Sequence, residues 1–172
     1  MKRFSGFFRA FGFALSGVGA VLRRERNFRF HLSAALTLAW LQSAYPLEAV
    51  ERAVLFLAMG SVLGAEMLNT AVEYTVDLLS PGYHPLAKLA KDAAAGGVMV
   101  CAFFAALAGL CLLGDWEQLR RIASAIIHYP ALAAAVVGWI VAAFLFVFFY
   151  GEEQKALPVR PRHSGTRGEE RK

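Results

Sequence analysis

Long runs of apolar residues, separated by short polar segments, decide what this chain can become. They cover residues 30–45, 53–79, 86–113 and 122–150. About 20 apolar residues in a helix reach across the roughly 30 Å hydrocarbon core of a bilayer. Inside a bilayer a backbone must satisfy its own hydrogen bonds, and a helix does so. The runs therefore predict an all-α integral membrane protein. Composition agrees: 58% of the 172 residues are hydrophobic and 18% charged, too apolar for an ordinary soluble domain of this size.

Four regions follow. Residues 1–29 form a cytoplasmic interfacial helix and a charged junction. Phe4, Phe7, Phe8, Phe11, Leu15, Val18 and Leu22 recur at helical spacing, flanked by Lys2, Arg3 and Arg9, a pattern suited to a helix lying in the membrane surface. Residues 30–114 hold three core spans. The first apolar run is short, so its helix is expected to begin inside the charged segment 23–29. Pro46 to Arg52 reads as a turn, and residues 80–85 as a loop with Pro81, Gly82 and Pro85. Residues 115–150 form an additional transmembrane helix, with a polar turn over 114–121 and interruptions at His128 and Pro130. Residues 151–172 read as a disordered cytoplasmic tail.

The net charge of +5 is read by location. With both termini and the 80–91 loop inside, fifteen of the 18 Lys and Arg residues are cytoplasmic, and only Arg52, Arg120 and Arg121 are outside. That is the positive-inside pattern of a bacterial plasma-membrane protein, and no nucleic-acid partner is expected. Cys101 and Cys111 lie in an apolar run and read as packing residues. Arg9 interrupts the apolar stretch that a cleavable signal peptide needs.

The second long run carries the chemistry. Glu66, Asn69, Glu73 and Asp77 are spaced 3, 4 and 4, which on a helix makes one polar stripe about 16 Å long. Each charge buried in a membrane helix costs about 2.5–3.5 kcal/mol on the insertion scale, so partners, water, protons or metal must offset it. Paired carboxylates recruit Mg²⁺, a hard cation that wants oxygen ligands. A carboxylate also accepts a proton from an attacking hydroxyl. Lys91 and Asp92 lie just across the 80–85 loop, and a lysine beside such a site holds phosphate oxygens. Glu25 offers a further carboxylate at the same membrane face. Metal, lysine and base are a minimal set for phosphoryl transfer. Two other readings use the same residues: an inert polar seam between helices, and a proton or cation relay. A relay predicts acids near mid-membrane with access from both sides, whereas these crowd toward the cytoplasmic side.

Three motifs then carry a resemblance. They are Glu25-Arg26-Asn27-Phe28-Arg29-Phe30-His31, the run from Glu66 to Asp77, and the run from His84 through Lys91 and Asp92 to Val98. Over roughly residues 4–114 the chain resembles the small prokaryotic diacylglycerol kinase and undecaprenol kinase family, and the first and third motifs look like its Gram-positive, undecaprenol kinase-like branch. The resemblance implies a homotrimer with active sites shared between subunits, ATP as co-substrate, Mg²⁺ as cofactor and a membrane lipid as acceptor. It implies that Glu66 is the general base and that Asn69 positions the reacting groups. It implies that Glu25 and Glu73 hold the metal, and that Gly82, Tyr83, His84, Lys91 and Asp92 contact the nucleotide, with Arg9 adding a phosphate contact. Asp92 has a second reading as a cap of the third span. The expected product is undecaprenyl phosphate; the alternative is phosphatidic acid from diacylglycerol, and a non-enzymatic membrane protein or ion carrier is a distant third. Such proteins usually end near residue 115, so the fourth span is a departure.

Overall fold

The computed structural model describes residues 2–151, with side chains from Phe7 onward. The tail after Gly151 and the side chains of Lys2 and Arg3 lie outside the described residues. Six α-helices follow in order: α1 Lys2–Arg24, α2 Arg26–Leu41, α3 Ala49–Leu79, α4 Pro85–Leu113, α5 Trp116–His128 and α6 Pro130–Phe149. A 3₁₀ turn, Gln42–Ala44, extends α2. There is no strand among the described residues, so the predicted all-α membrane architecture holds.

Local chemistry sets the boundaries. α1 and α2 are separated by Glu25 alone, whose backbone is extended at φ −102° and ψ 111°. α2 does begin inside the charged segment. Its 16 residues give about 24 Å of helix, and the 3₁₀ turn adds about 6 Å. α3, α4 and α6 are long and apolar enough to cross a membrane by themselves, whereas α2 falls short of that length alone. α3 starts at Ala49 because Glu48 and Glu51 form a reciprocal capping box. It stops one residue before Ser80, with Pro81 next, and proline cannot continue a helix. α4 opens with Pro85 in its first turn, and the His84 ring Nδ1 accepts a hydrogen bond from the Leu86 amide at 3.2 Å. His84, not Asp92, therefore caps this helix. Asp92 lies two turns inside and pairs with Lys88.

Residues 114–121, expected to form a polar turn, are mostly helix. Asp115 accepts from the Gln118 amide at 3.1 Å and caps α5. Glu117, Arg120, Ser124 and His128 line one side of α5, while Ile122 and Ile126 turn toward α2 and α6. The chain breaks at Tyr129, and Pro130 starts α6.

α3 and α4 form the most extensively packed pair, α2 lies against α3, and α6 lies against α2 and α5. Tyr45, Leu55 and Leu113 are the buried centre of a cluster at the Tyr45 end of the bundle, joined by Leu38, Leu41 and Ile122. The Tyr45 hydroxyl donates to the Leu113 carbonyl at 2.8 Å, and Gln118 donates to the Ala44 carbonyl at 2.6 Å. Only 11% of the apolar stretch of α4 and 6% of that of α6 are buried within the chain, so both present broad apolar surfaces outward. Cys111 is exposed on α4 and Cys101 is half-buried, so Cys111 is not a packing residue within this chain. Gly96 and Gly97 of α4 have nothing within 4 Å of an added Cβ.

Candidate active site

The polar stripe of α3 grades from buried to exposed. Glu66 is 4% exposed and Asn69 9%, Glu73 is half-buried, and Asp77 is exposed. The helix repeat puts all of them on one face, and α2 covers the inner part of it. From α2, the His31 Nε2 comes within 3.2 Å of the Glu66 carboxylate. One turn on, the Asn69 amide nitrogen donates to Glu73 at 2.9 Å. That bond fixes the amide plane and leaves the buried Asn69 Oδ1 without a hydrogen-bond partner among the described residues. Glu25, at the extended junction between α1 and α2, accepts a hydrogen bond from the Tyr74 hydroxyl at 2.8 Å. That bond ties Glu25 to α3 one residue beyond Glu73.

Glu66, Asn69 and Glu73 thus follow one another along a single face of α3, and Glu25 is tied to the same helix through Tyr74. Lys91 reaches the end of the stripe by an ion pair with Asp77. Gly82, Tyr83 and His84 lie exposed in the loop between α3 and α4, and Arg9 is exposed on α1. Among the described residues no hydrogen bond or ion pair links these four, or Asp92, to the carboxylates. His31 and Tyr74 complete the arrangement, although neither stood out in the sequence as a site residue. His31 closes the first motif, six residues after Glu25, and Tyr74 follows Glu73 directly.

An apolar cleft of about 450 Å³ opens between α2, α3 and α4. Its walls include Ala34, Ala35, Met59, Ala105 and Gly109, and His31 lines it near the buried carboxylate. Small side chains leave room for a chain-like apolar ligand beside Glu66. Away from His31 the donors are oxygen: the half-buried carboxylates of Glu25 and Glu73 and the unsatisfied Asn69 Oδ1. Such a set fits a hard divalent cation. Among the described residues, however, no three His, Cys, Asp or Glu side chains converge closely enough to hold a metal by themselves. A metal here would take further ligands from phosphates.

The family model for prokaryotic diacylglycerol kinase matches residues 12–113, from α1 to the last residue of α4. The chain belongs to the prokaryotic diacylglycerol kinase family. It is a membrane lipid kinase of a bacterial membrane, using ATP and a lipid acceptor. The undecaprenol kinase of Bacillus subtilis is 43% identical over 106 residues, which are 62% of this chain and 86% of that protein. The diacylglycerol kinase of Synechocystis is 43% identical over 105 residues, 60% of each chain. The diacylglycerol kinase of Escherichia coli K12 is 28% identical over 110 residues, 64% of this chain and 90% of that protein. No solved structure matches the chain. The family region contains every site residue named above except Arg9, and it excludes α5 and α6.

Proposed function

We propose that this kinase transfers the γ-phosphate of ATP to undecaprenol, with Glu66 as the general base, at a site facing the cytoplasm and shared between the subunits of a homotrimer. The observation that carries this reading is the buried Glu66 carboxylate, held against His31 beside the apolar cleft. Membrane depth supports it. α3 has 31 residues, or about 46 Å of helix against a hydrocarbon core of about 30 Å. If Arg52 marks the outer boundary, the inner boundary falls about 20 residues later, near Val72. Glu66 then sits about 9 Å inside it, where a lipid alcohol resides. Glu73 and Asp77 lie in the headgroup zone, where phosphates remain solvated.

The chemistry follows from these positions. Glu66 takes the proton of the lipid hydroxyl as that oxygen attacks the γ-phosphorus and ADP leaves. His31 keeps the Glu66 carboxylate oriented. Glu25 and Glu73 would hold Mg²⁺, and Asn69 is hydrogen-bonded to Glu73. When bound, the ion neutralises charge on the phosphate oxygens. Lys91 supplies a second positive charge once it exchanges Asp77 for phosphate. Gly82, Tyr83, His84, Asp92 and Arg9 are the proposed outer contacts to the nucleotide. All five are exposed, and Asp92 would exchange Lys88 for the nucleotide.

Support for undecaprenol comes from the B. subtilis enzyme, 86% of whose length aligns with this chain. The equal identity to the Synechocystis diacylglycerol kinase supports diacylglycerol as the second reading. Purified protein with labelled ATP, offered both lipids in competition, separates the two. Undecaprenol should take most of the label. Preferential labelling of diacylglycerol would reverse the lipid assignment, and no labelled lipid at all would remove the catalytic one.

A further inference from the structure

We infer that α6, which lies outside the family region, braces the Glu25 junction through Arg29, making Arg29 a positioning residue for the metal–phosphate site. This inference rests on the assignment of Glu25 to that site.

Arg29 stands in the second turn of α2 and is 3% exposed. A buried guanidinium is costly unless its donors are satisfied, and no carboxylate pairs with it among the described residues. Its partners are backbone carbonyls at two helix ends. Nη1 donates to Leu22 and Arg23 at 3.1 and 3.2 Å, in the last turn of α1. Nε and Nη2 both donate to Val147 at 3.2 Å, near the end of α6. Carbonyls at helix C-termini have no intrahelical donor and carry partial negative charge, so a cation there is stabilised.

These bonds enclose Glu25. Its amide donates to Val21 at 2.8 Å, and its carbonyl accepts from the Arg29 amide at 3.3 Å. The Arg29 side chain then reaches back across the extended residue to the end of α1. The break between α1 and α2 is therefore a stapled joint, and its carboxylate is turned to Tyr74.

α6 closes the staple from the other side. Beyond Val147, the Phe148 ring lies 5.8 Å from the Arg26 guanidinium carbon. Gly151, at φ +87°, abuts the carbonyl of Arg23, where an added Cβ would sit 2.0 Å from the oxygen. Only glycine tolerates both that backbone and that approach. Lysine cannot replace Arg29 in the staple, because its single ammonium cannot span two helix ends as a planar fork does.

The test uses the full-length chain and three variants: Arg29→Lys, Gly151→Ala and Glu25→Gln. Three readouts are followed: amide hydrogen exchange over residues 22–29, Mn²⁺ binding in the presence of ATP, and separate KM values for nucleotide and lipid. Both Arg29→Lys and Gly151→Ala should speed exchange across the joint. Each should weaken Mn²⁺ binding and raise the nucleotide KM by about tenfold, the scale of losing an outer support of a metal ligand, with the lipid KM unchanged. Unaltered exchange in both variants overturns the brace. Faster exchange with unmoved Mn²⁺ binding overturns its link to Glu25. Normal Mn²⁺ binding by Glu25→Gln would instead overturn the metal reading, whatever the exchange shows.

Discussion

Glu66 is buried, acidic and next to a histidine, while the other carboxylates of its stripe meet progressively more solvent. That asymmetry separates the proposed base from the proposed metal ligands. Replacing Glu66 by Gln keeps its size and one acceptor oxygen for His31 and removes the charge and the proton-accepting group. The turnover rate should fall by about 10²–10⁴, while size-exclusion profiles in detergent stay unchanged. Full activity in that variant would remove Glu66 as the base. His31→Ala makes a different prediction. It leaves the Glu66 carboxyl buried without its partner, which costs about 1–3 kcal/mol. Both detergent unfolding resistance and turnover should drop, with nucleotide affinity kept; undiminished resistance would show that the pair contributes nothing to the fold. The spacing of Glu66, Asn69 and Glu73 was legible in the sequence, because residues three and four apart on a helix share a face. His31 was not, because periodicity within one helix does not say which residue of another helix meets it, and Tyr74 was not, because it lies off the stripe and is tied in only by Glu25 from another element. The Asn69–Glu73 bond lies between those cases: the spacing allows it, and only the structure shows which amide atom stays unsatisfied.

At the scale of elements, most of the architecture could be read from the chain. α1 announced itself by aromatic residues at helical spacing, α3 and α4 by their length, and the start of α2 by the shortness of its apolar run. α5 was hidden, because its cap Asp115 and Glu117, Arg120 and Arg121 in its first two turns resemble a turn by composition. Its apolar partners, Ile122 and Ile126, belong by the same reading to the following span. The face of α2 that meets α6 was hidden too. Arg29 and Thr37 are two turns apart on it, and the Trp139 indole donates to the Thr37 hydroxyl at 2.9 Å. Hydrogen bonds between membrane helices average about 0.6 kcal/mol. Thr37→Val and Trp139→Phe should each cost about that much, and the double variant no more than either alone. Additive losses in a denaturing-detergent titration would show that the two side chains do not act through their mutual bond.

For the whole molecule, the outward surfaces decide what one chain still lacks. α4 leaves Phe103, Phe104 and Leu110 exposed, and its Gly96 and Gly97 meet nothing within the chain. The proposed ligands come near each other without any three acids closing on one point. A neighbouring subunit in a ring would cover such a face and complete such a site, as a heterologous interface does. Subunit mixing tests this. Glu25→Gln and Glu66→Gln chains, each inactive alone, are unfolded together and refolded at equal amounts. If one subunit gives Glu66 and the next gives Glu25, a quarter of the sites receive both intact residues, so about a quarter of the wild-type activity should return. If both residues of a site come from one chain, every site carries a defect and the mixture stays inactive. The intrachain Tyr74–Glu25 bond makes this a demanding test. It already places the α1–α2 junction against its own α3, so recovery would mean that Glu66 serves the metal–phosphate group of the adjacent subunit.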